Sequence, residues 1–141
     1  LKIAKSSDQA AVLSLVDQIQ EDLVWEYGYD DLPEELQDKY AYTELLGPQG
    51  PILGDDLILG LVLLGPNCIY PEHSHQDIAE SYLVLNGAVT INNQQSFTRG
   101  DFIYNDPGEK HELATESKAC LLAYAWSASA QILTDNQMSF D

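Results

Sequence analysis

Basic residues are scarce: six Lys and Arg stand against 23 Asp and Glu, for a formal net charge of −17. The deficit is even along the chain. Residues 1–50 hold 11 acids and 3 bases, and residues 51–141 hold 12 and 3. The acidity therefore belongs to the whole surface and not to a tail. A field of that sign repels nucleic acid and anionic lipid, so no partner of either kind is expected. It suits a soluble or salt-adapted surface, and it would attract a cationic or zwitterionic small molecule. Cysteine is nearly missing. Cys68 and Cys120 stand alone, outside any CxxC or CxxH spacing, which excludes a zinc knuckle. Both lie in apolar runs, where buried free thiols are common. Long hydrophobic runs are lacking too: the longest, 57–64, is too short to span a bilayer. With no secretory leader in view, the cytoplasm is the expected compartment.

What is present fits one compact domain, with 141 residues of which 45% are hydrophobic. The first forty residues read as helical. Ser7 or Asp8 can cap a helix, and Val12, Val16, Ile19 and Leu23 then share one face. Pro33, Glu34 and Glu35 look like a first turn continued by residues 36–40, with a loop over 28–31 between the two helices. From residue 41 the pattern changes to short apolar runs at 42–46, 57–64, 68–70, 81–85, 88–91, 102–104, 111–114 and 119–126. Gly, Pro, Asn and Asp separate them. Many short strands at regular spacing predict a β-sandwich or barrel. The expected organisation is a helical arm, residues 1–40, packed on a barrel of residues 41–141. Trp25 belongs to the contact between them.

Histidine is nearly as rare as cysteine, and its three copies are patterned. His73 and His75 are two apart, a spacing that puts both on one face of a strand. Glu80 follows after a short loop, and His111 follows Pro107-Gly108. Three imidazoles and one carboxylate make a borderline donor set, suited to one divalent ion of Zn, Fe, Mn or Ni.

These residues carry a resemblance. Gly65, His73-x-His75-x4-Glu80-x6-Gly87 is similar to the first motif of the cupins. Gly100, Gly108 and His111 resemble the second. Asp106 replaces the second motif's usual proline, and Thr115 its frequent asparagine. The resemblance implies a mainly β cupin fold, a double-stranded β-barrel or jelly roll with N-terminal helices. It also implies that His73, His75, Glu80 and His111 are metal ligands. Over roughly residues 40–127 the likeness narrows. Tyr-Pro-x-His-x-His-x4-Glu-x-Tyr-x-Val-Leu-x-Gly is similar to the cupin-type dimethylsulfoniopropionate lyases. So are 45–51 before it and the 121–126 run after it, while Gln76 stands where those lyases often have proline.

That likeness implies β-elimination of a sulfonium zwitterion to acrylate and dimethyl sulfide. A metal bound to the substrate carboxylate would make the neighbouring proton more acidic. Tyr82, two residues past Glu80, points into the barrel with it and resembles the base of those lyases. A sulfonium cation prefers aromatic faces, which makes Tyr70, Tyr104, Tyr124 and Trp126 the candidate substrate residues. The rival readings are another metal-dependent cupin, a dioxygenase or isomerase, and a non-catalytic cupin that binds a small ligand. Exposed barrel edges imply a homodimer.

Overall fold

A computed structural model of the protein describes residues 2–27 and 33–135. The first element is an 18-residue helix, α1 (Lys2–Ile19). A single 3₁₀ turn (Glu34–Leu36) leads into the strands. These are β1 (Tyr40–Gly47), β2 (Ile52–Leu53), β3 (Leu57–Leu64), β4 (Ile69–His73), β5 (Ala79–Asn86), β6 (Ala88–Ile91), β7 (Gln95–Thr98), β8 (Phe102–Asn105), β9 (His111–Ala114) and β10 (Cys120–Ser127). A short helix, α2 (Ala130–Asp135), follows.

Among the described residues the strands form two sheets, ordered β2-β1-β3-β10-β5-β8 and β4-β9-β6-β7. All pairings are antiparallel except β1 with β2. Period-two patterning explains which faces meet. Along β10, Cys120, Leu122, Tyr124 and Trp126 are buried while Leu121, Ala123 and Ala125 between them are only half-buried. The inner faces of the two sheets enclose one core that includes Leu64, Val84, Val89, Leu113 and Leu122. This is the jelly roll of the cupins, mainly β with one helix before it.

Turn chemistry agrees with the backbone. Asn92 and Asn93 both take left-handed φ angles, 52° and 53°, at the β6–β7 hairpin. Gly87, at φ +82°, lies so close to the backbone of Ala119 and Cys120 that a Cβ there would collide with the Ala119 carbonyl. The closing glycine of the first motif is thus a packing requirement between β5 and β10. Thr115, in place of asparagine, does structural work of its own. Its hydroxyl donates to the Gly65 carbonyl at 2.6 Å and accepts from the Cys68 amide at 3.0 Å.

The arm differs from the expectation. The helix begins at Lys2 and runs through Ser7 and Asp8, so neither is its cap. It stops at Ile19, leaving Leu23 beyond it, and Val12 and Ile19 stay exposed. Residues 33–40 form one 3₁₀ turn and not a helix, because Gln37 returns to an extended conformation, φ −57° and ψ 131°. Tyr40 already belongs to β1. The loop expected over 28–31 lies outside the described residues. Three elements have no forerunner in the sequence pattern. β2 has two residues, β7 has Phe97 as its one apolar residue, and α2 has a single turn or so.

Candidate metal centre and its cavity

The two sheets share the site. His73 ends β4 and pairs by Cα register with His111, which opens β9. His75 lies just past the end of β4, and Asp77 makes the turn back to β5 with φ +60°. Glu80 and Tyr82 then enter on β5, in the other sheet. Gly108 donates its amide to the His75 carbonyl at 2.9 Å, fastening the loop before β9 onto the loop after β4. All four candidate ligands are buried, and their donor atoms lie within 4.8 Å of one another.

Backbone carbonyls orient two of the rings. Nδ1 of His73 faces the Pro71 carbonyl at 2.7 Å, and Nδ1 of His111 faces that of Glu109 at 3.1 Å. Donation to those carbonyls turns each Nε2 toward the cluster, the usual outer support of a metal-binding imidazole. Glu80 Oε1 lies 2.8 Å from His111 Nε2 and 3.4 Å from His75 Nε2. The same oxygen accepts from the Tyr82 hydroxyl at 2.7 Å, while Oε2 accepts from the Trp126 indole N–H. Trp126 and Glu80 are register partners on β10 and β5, which explains that contact.

The electrostatics follow from burial and crowding. Burial by itself would raise the Glu80 pKa, but the imidazoles of His111 and His75 outweigh it and hold the carboxyl well below the usual range. Burial, then the neighbouring His111, pushes His73 down to about 3. His111 moves up, because the Glu80 carboxylate outweighs the effect of burial. Nε2 of His75 and Nε2 of His111, both buried, complete no hydrogen bond of ordinary geometry. Buried polar atoms without partners are costly, so these donors fit a divalent cation. Three imidazoles and a carboxylate are the right donors for one.

A cavity of about 530 Å³ opens from this cluster. His73, His75, Glu80, Tyr82, Tyr70, Tyr124 and Trp126 line it. Tyr104 does not. It is 54% exposed on the outer face of β8, because Ile103 and Asn105 take the inward positions. The sequence pattern, which puts Tyr104 among the substrate residues, is corrected on that point. Tyr40, Tyr42 and Glu44 of β1 line the cavity as well, together with Asp22 and Glu26 of the arm. None of these stands out in the sequence. The helical pattern over 36–40 takes in Tyr40, which hides the alternation Tyr40, Tyr42, Glu44. The arm itself reaches β1 through paired backbone hydrogen bonds between Glu26 and Tyr42.

A jelly roll that gathers three histidines and a glutamate between its sheets is a cupin with a candidate metal centre. Comparison with known proteins carries this further. The model of the dimethylsulfoniopropionate lyase family matches residues 1–122, and the chain belongs to that family. DddL of Cereibacter sphaeroides, assigned by name as a dimethylsulfoniopropionate lyase, is 48% identical over 117 residues, which are 82% of this chain and 50% of DddL. The chain thus spans about half the length of that relative. Among solved structures, the dimethylsulfoniopropionate lyase DddQ of Ruegeria pomeroyi superposes with a TM-score of 0.77 at 20% identity, covering 92% of this chain and 66% of DddQ. A cupin-superfamily sugar phosphate isomerase from Silicibacter pomeroyi reaches 0.64 at 18% identity, covering 78% of this chain and 74% of its own. The two structural likenesses show the fold.

Among the described residues, no helix is long and apolar enough to cross a membrane.

Proposed function

We propose that this chain is a metal-dependent carbon–sulfur lyase that cleaves dimethylsulfoniopropionate to acrylate and dimethyl sulfide. One observation carries the reading: the Tyr82 hydroxyl sits 2.7 Å from Glu80 Oε1, beside the ligand cluster and inside the aromatic cavity. His73, His75, Glu80 and His111 would hold one divalent ion, Zn, Fe, Mn or Ni. When bound, that ion supplies Lewis acidity at the substrate carboxylate, which makes the adjacent C–H more acidic.

The residues of the chain do the rest. Tyr82 enters the step as a tyrosinate and takes the proton from the carbon next to the carboxylate. The electrons of that C–H bond become the new carbon–carbon double bond. The bond from the next carbon to sulfur breaks, and dimethyl sulfide leaves with its electron pair. Acrylate remains, and Tyr82 passes its proton to solvent. Tyr70, Tyr124 and Trp126 offer ring faces to the sulfonium. Residues 1–40 act as an arm on the barrel and help to line the cavity through Asp22, Leu23 and Glu26. The cytoplasm is the compartment that keeps the two buried, unbridged thiols, Cys68 and Cys120, reduced.

Tyr82→Phe tests the reading, because it keeps the ring and removes only the phenolic oxygen. Dimethyl sulfide in the headspace should fall by at least ~10²-fold, the scale of a lost general base. Metal content should hold. The assay runs with parent and variant loaded in turn with Fe, Mn, Zn, Ni and Co. No release from the parent with any metal removes the lyase. Equal release from both proteins moves the base elsewhere.

A further inference from the structure

The end of the cavity away from the ligand cluster carries a carboxylate that the elimination does not use. Glu44 sits on β1 at a β-bulge, where the β1–β3 register slips between Glu44 and Leu46. The pairing is regular up to that slip, so Glu44 follows Tyr40 and Tyr42 in the inward row. Its register partner is Gly60, whose partner on the other side is Tyr124, whose partner is Tyr82. Glu44, Gly60, Tyr124 and Tyr82 therefore form one row across the inner face of the sheet.

Gly60 is the gap in that row. A Cβ there would lie 2.5 Å from the Tyr124 ring, so the ring leans over the glycine toward β1 and Glu44. Glu44 lines the cavity, half-buried, and burial raises its pKa. Among the described residues, no basic side chain lies within ion-pair distance of it. Its Oε2 accepts from the Gln49 amide at 2.6 Å. A half-buried carboxylate without a countercharge is unfavourable unless a ligand supplies one. The same cavity holds, at its other end, the buried candidate ligands His73, His75 and Glu80. A divalent ion held there would draw an anionic group, while the Glu44 end faces a cation with a charge and a ring.

We propose that Glu44 is the cation-selecting residue of this cavity, facing the onium head of a zwitterion whose carboxylate lies at the His/Glu cluster. The proposal deepens the lyase reading, resting on the same orientation of substrate. It assigns to Glu44 the discrimination between a permanent cation and a neutral group of equal shape. Tyr124 supplies a face that any apolar group can use, whereas the carboxylate rewards only the charged one.

Calorimetric titration of the zinc-loaded chain tests this without turnover. The probes are 3-(trimethylammonio)propanoate and its tert-butyl isostere 4,4-dimethylpentanoate, which share the carboxylate and differ by the charge on the head. The parent should prefer the ammonium probe. Glu44→Gln keeps an acceptor for the Gln49 amide and should cut that preference by about tenfold, the scale of one partly screened charge pair. Affinity for the tert-butyl probe, metal content and melting temperature should hold. A purely structural Glu44 would shift both probes together, and an unchanged ratio overturns the proposal, as does a parent that binds the two equally. Should Glu44→Gln fail to fold, Glu44→Asp decides: the retracted charge must weaken the preference, and an unaltered one overturns the assignment. The expected drop in probe preference alongside absent dimethyl sulfide release would remove the lyase and leave Glu44 standing.

Discussion

The two ends of the cavity are built from different parts of the chain and in different ways. At the cluster end, three of the four candidate ligands come from the short stretch between His73 and Glu80, and the fourth is the register partner of the first. Strands of both sheets hold three of them, the Gly108 amide fastens the loop of His75, and two carbonyls fix the rings of His73 and His111. At the Glu44 end, the residues come from β1 and from an arm that pairs with it at Glu26 and Tyr42. Donor atoms that must meet within a few ångströms are thus placed by one short stretch of chain and the strand paired with it. Groups that only bias what enters come from a separate strand and from the arm. Damage at the first end should abolish, and damage at the second should tilt.

The largest expected effect is at the cluster. Changing His73, His75 or His111 to alanine should take metal content from about one ion per chain to near zero, since each removes a donor from one closed set. The parent should also melt at a higher temperature with metal than without, because the ion binds only the folded state. Elemental analysis and thermal scans read both. Full metal retention in all three variants would break the contrast between the ends at its root. The loss of turnover in Tyr82→Phe ranks next, and the shift in probe preference of Glu44→Gln lies well below it.

Gly60→Ala sharpens the contrast from the middle of the row. The added Cβ would meet the Thr43 carbonyl and the Tyr124 ring. The expected cost is about 1–3 kcal/mol of stability, the usual range for overpacking. Dimethyl sulfide release should suffer through KM more than through kcat, since the ligands and Tyr82 are untouched. A stability within error of the parent by denaturant titration would show that the row is looser than its register implies. The smallest effect concerns assembly. β8 is the outer strand of the six-stranded sheet and carries exposed Phe102 and Tyr104. Such an edge favours pairing, and we infer a homodimer. A monomer mass by light scattering at micromolar concentration would remove it.

Much of the cluster end is legible in the amino-acid sequence. HxH at strand spacing, a glutamate after a short turn and one remaining histidine are local patterns, and strand periodicity is the same in every sheet. The glycine that closes the motif, Gly87, and the inward set Cys120, Leu122, Tyr124 and Trp126 follow from the same regularity. The arm is less legible. The spacing of Val12, Val16 and Ile19 predicts a helix but not that its apolar side stays largely exposed, nor that Leu23 leaves it to line the cavity. Apolar periodicity reports a face and not what covers it.

The sequence by itself determined a small acidic β protein, its donor set, and a tyrosine two residues from the glutamate. These depend on neighbours along the chain, where distance is set by covalent geometry. Only the tertiary structure decided which aromatics meet the cavity, because a one-residue change of strand phase moves a side chain from the inside to the outside. That phase puts Ile103 and Asn105 inward and leaves Tyr104 in solvent. It also decided that Glu44, Gly60, Tyr124 and Tyr82 stand in one row. Those four come from four separate strands of one sheet, and the register that aligns them is set by pairings between segments far apart in the chain.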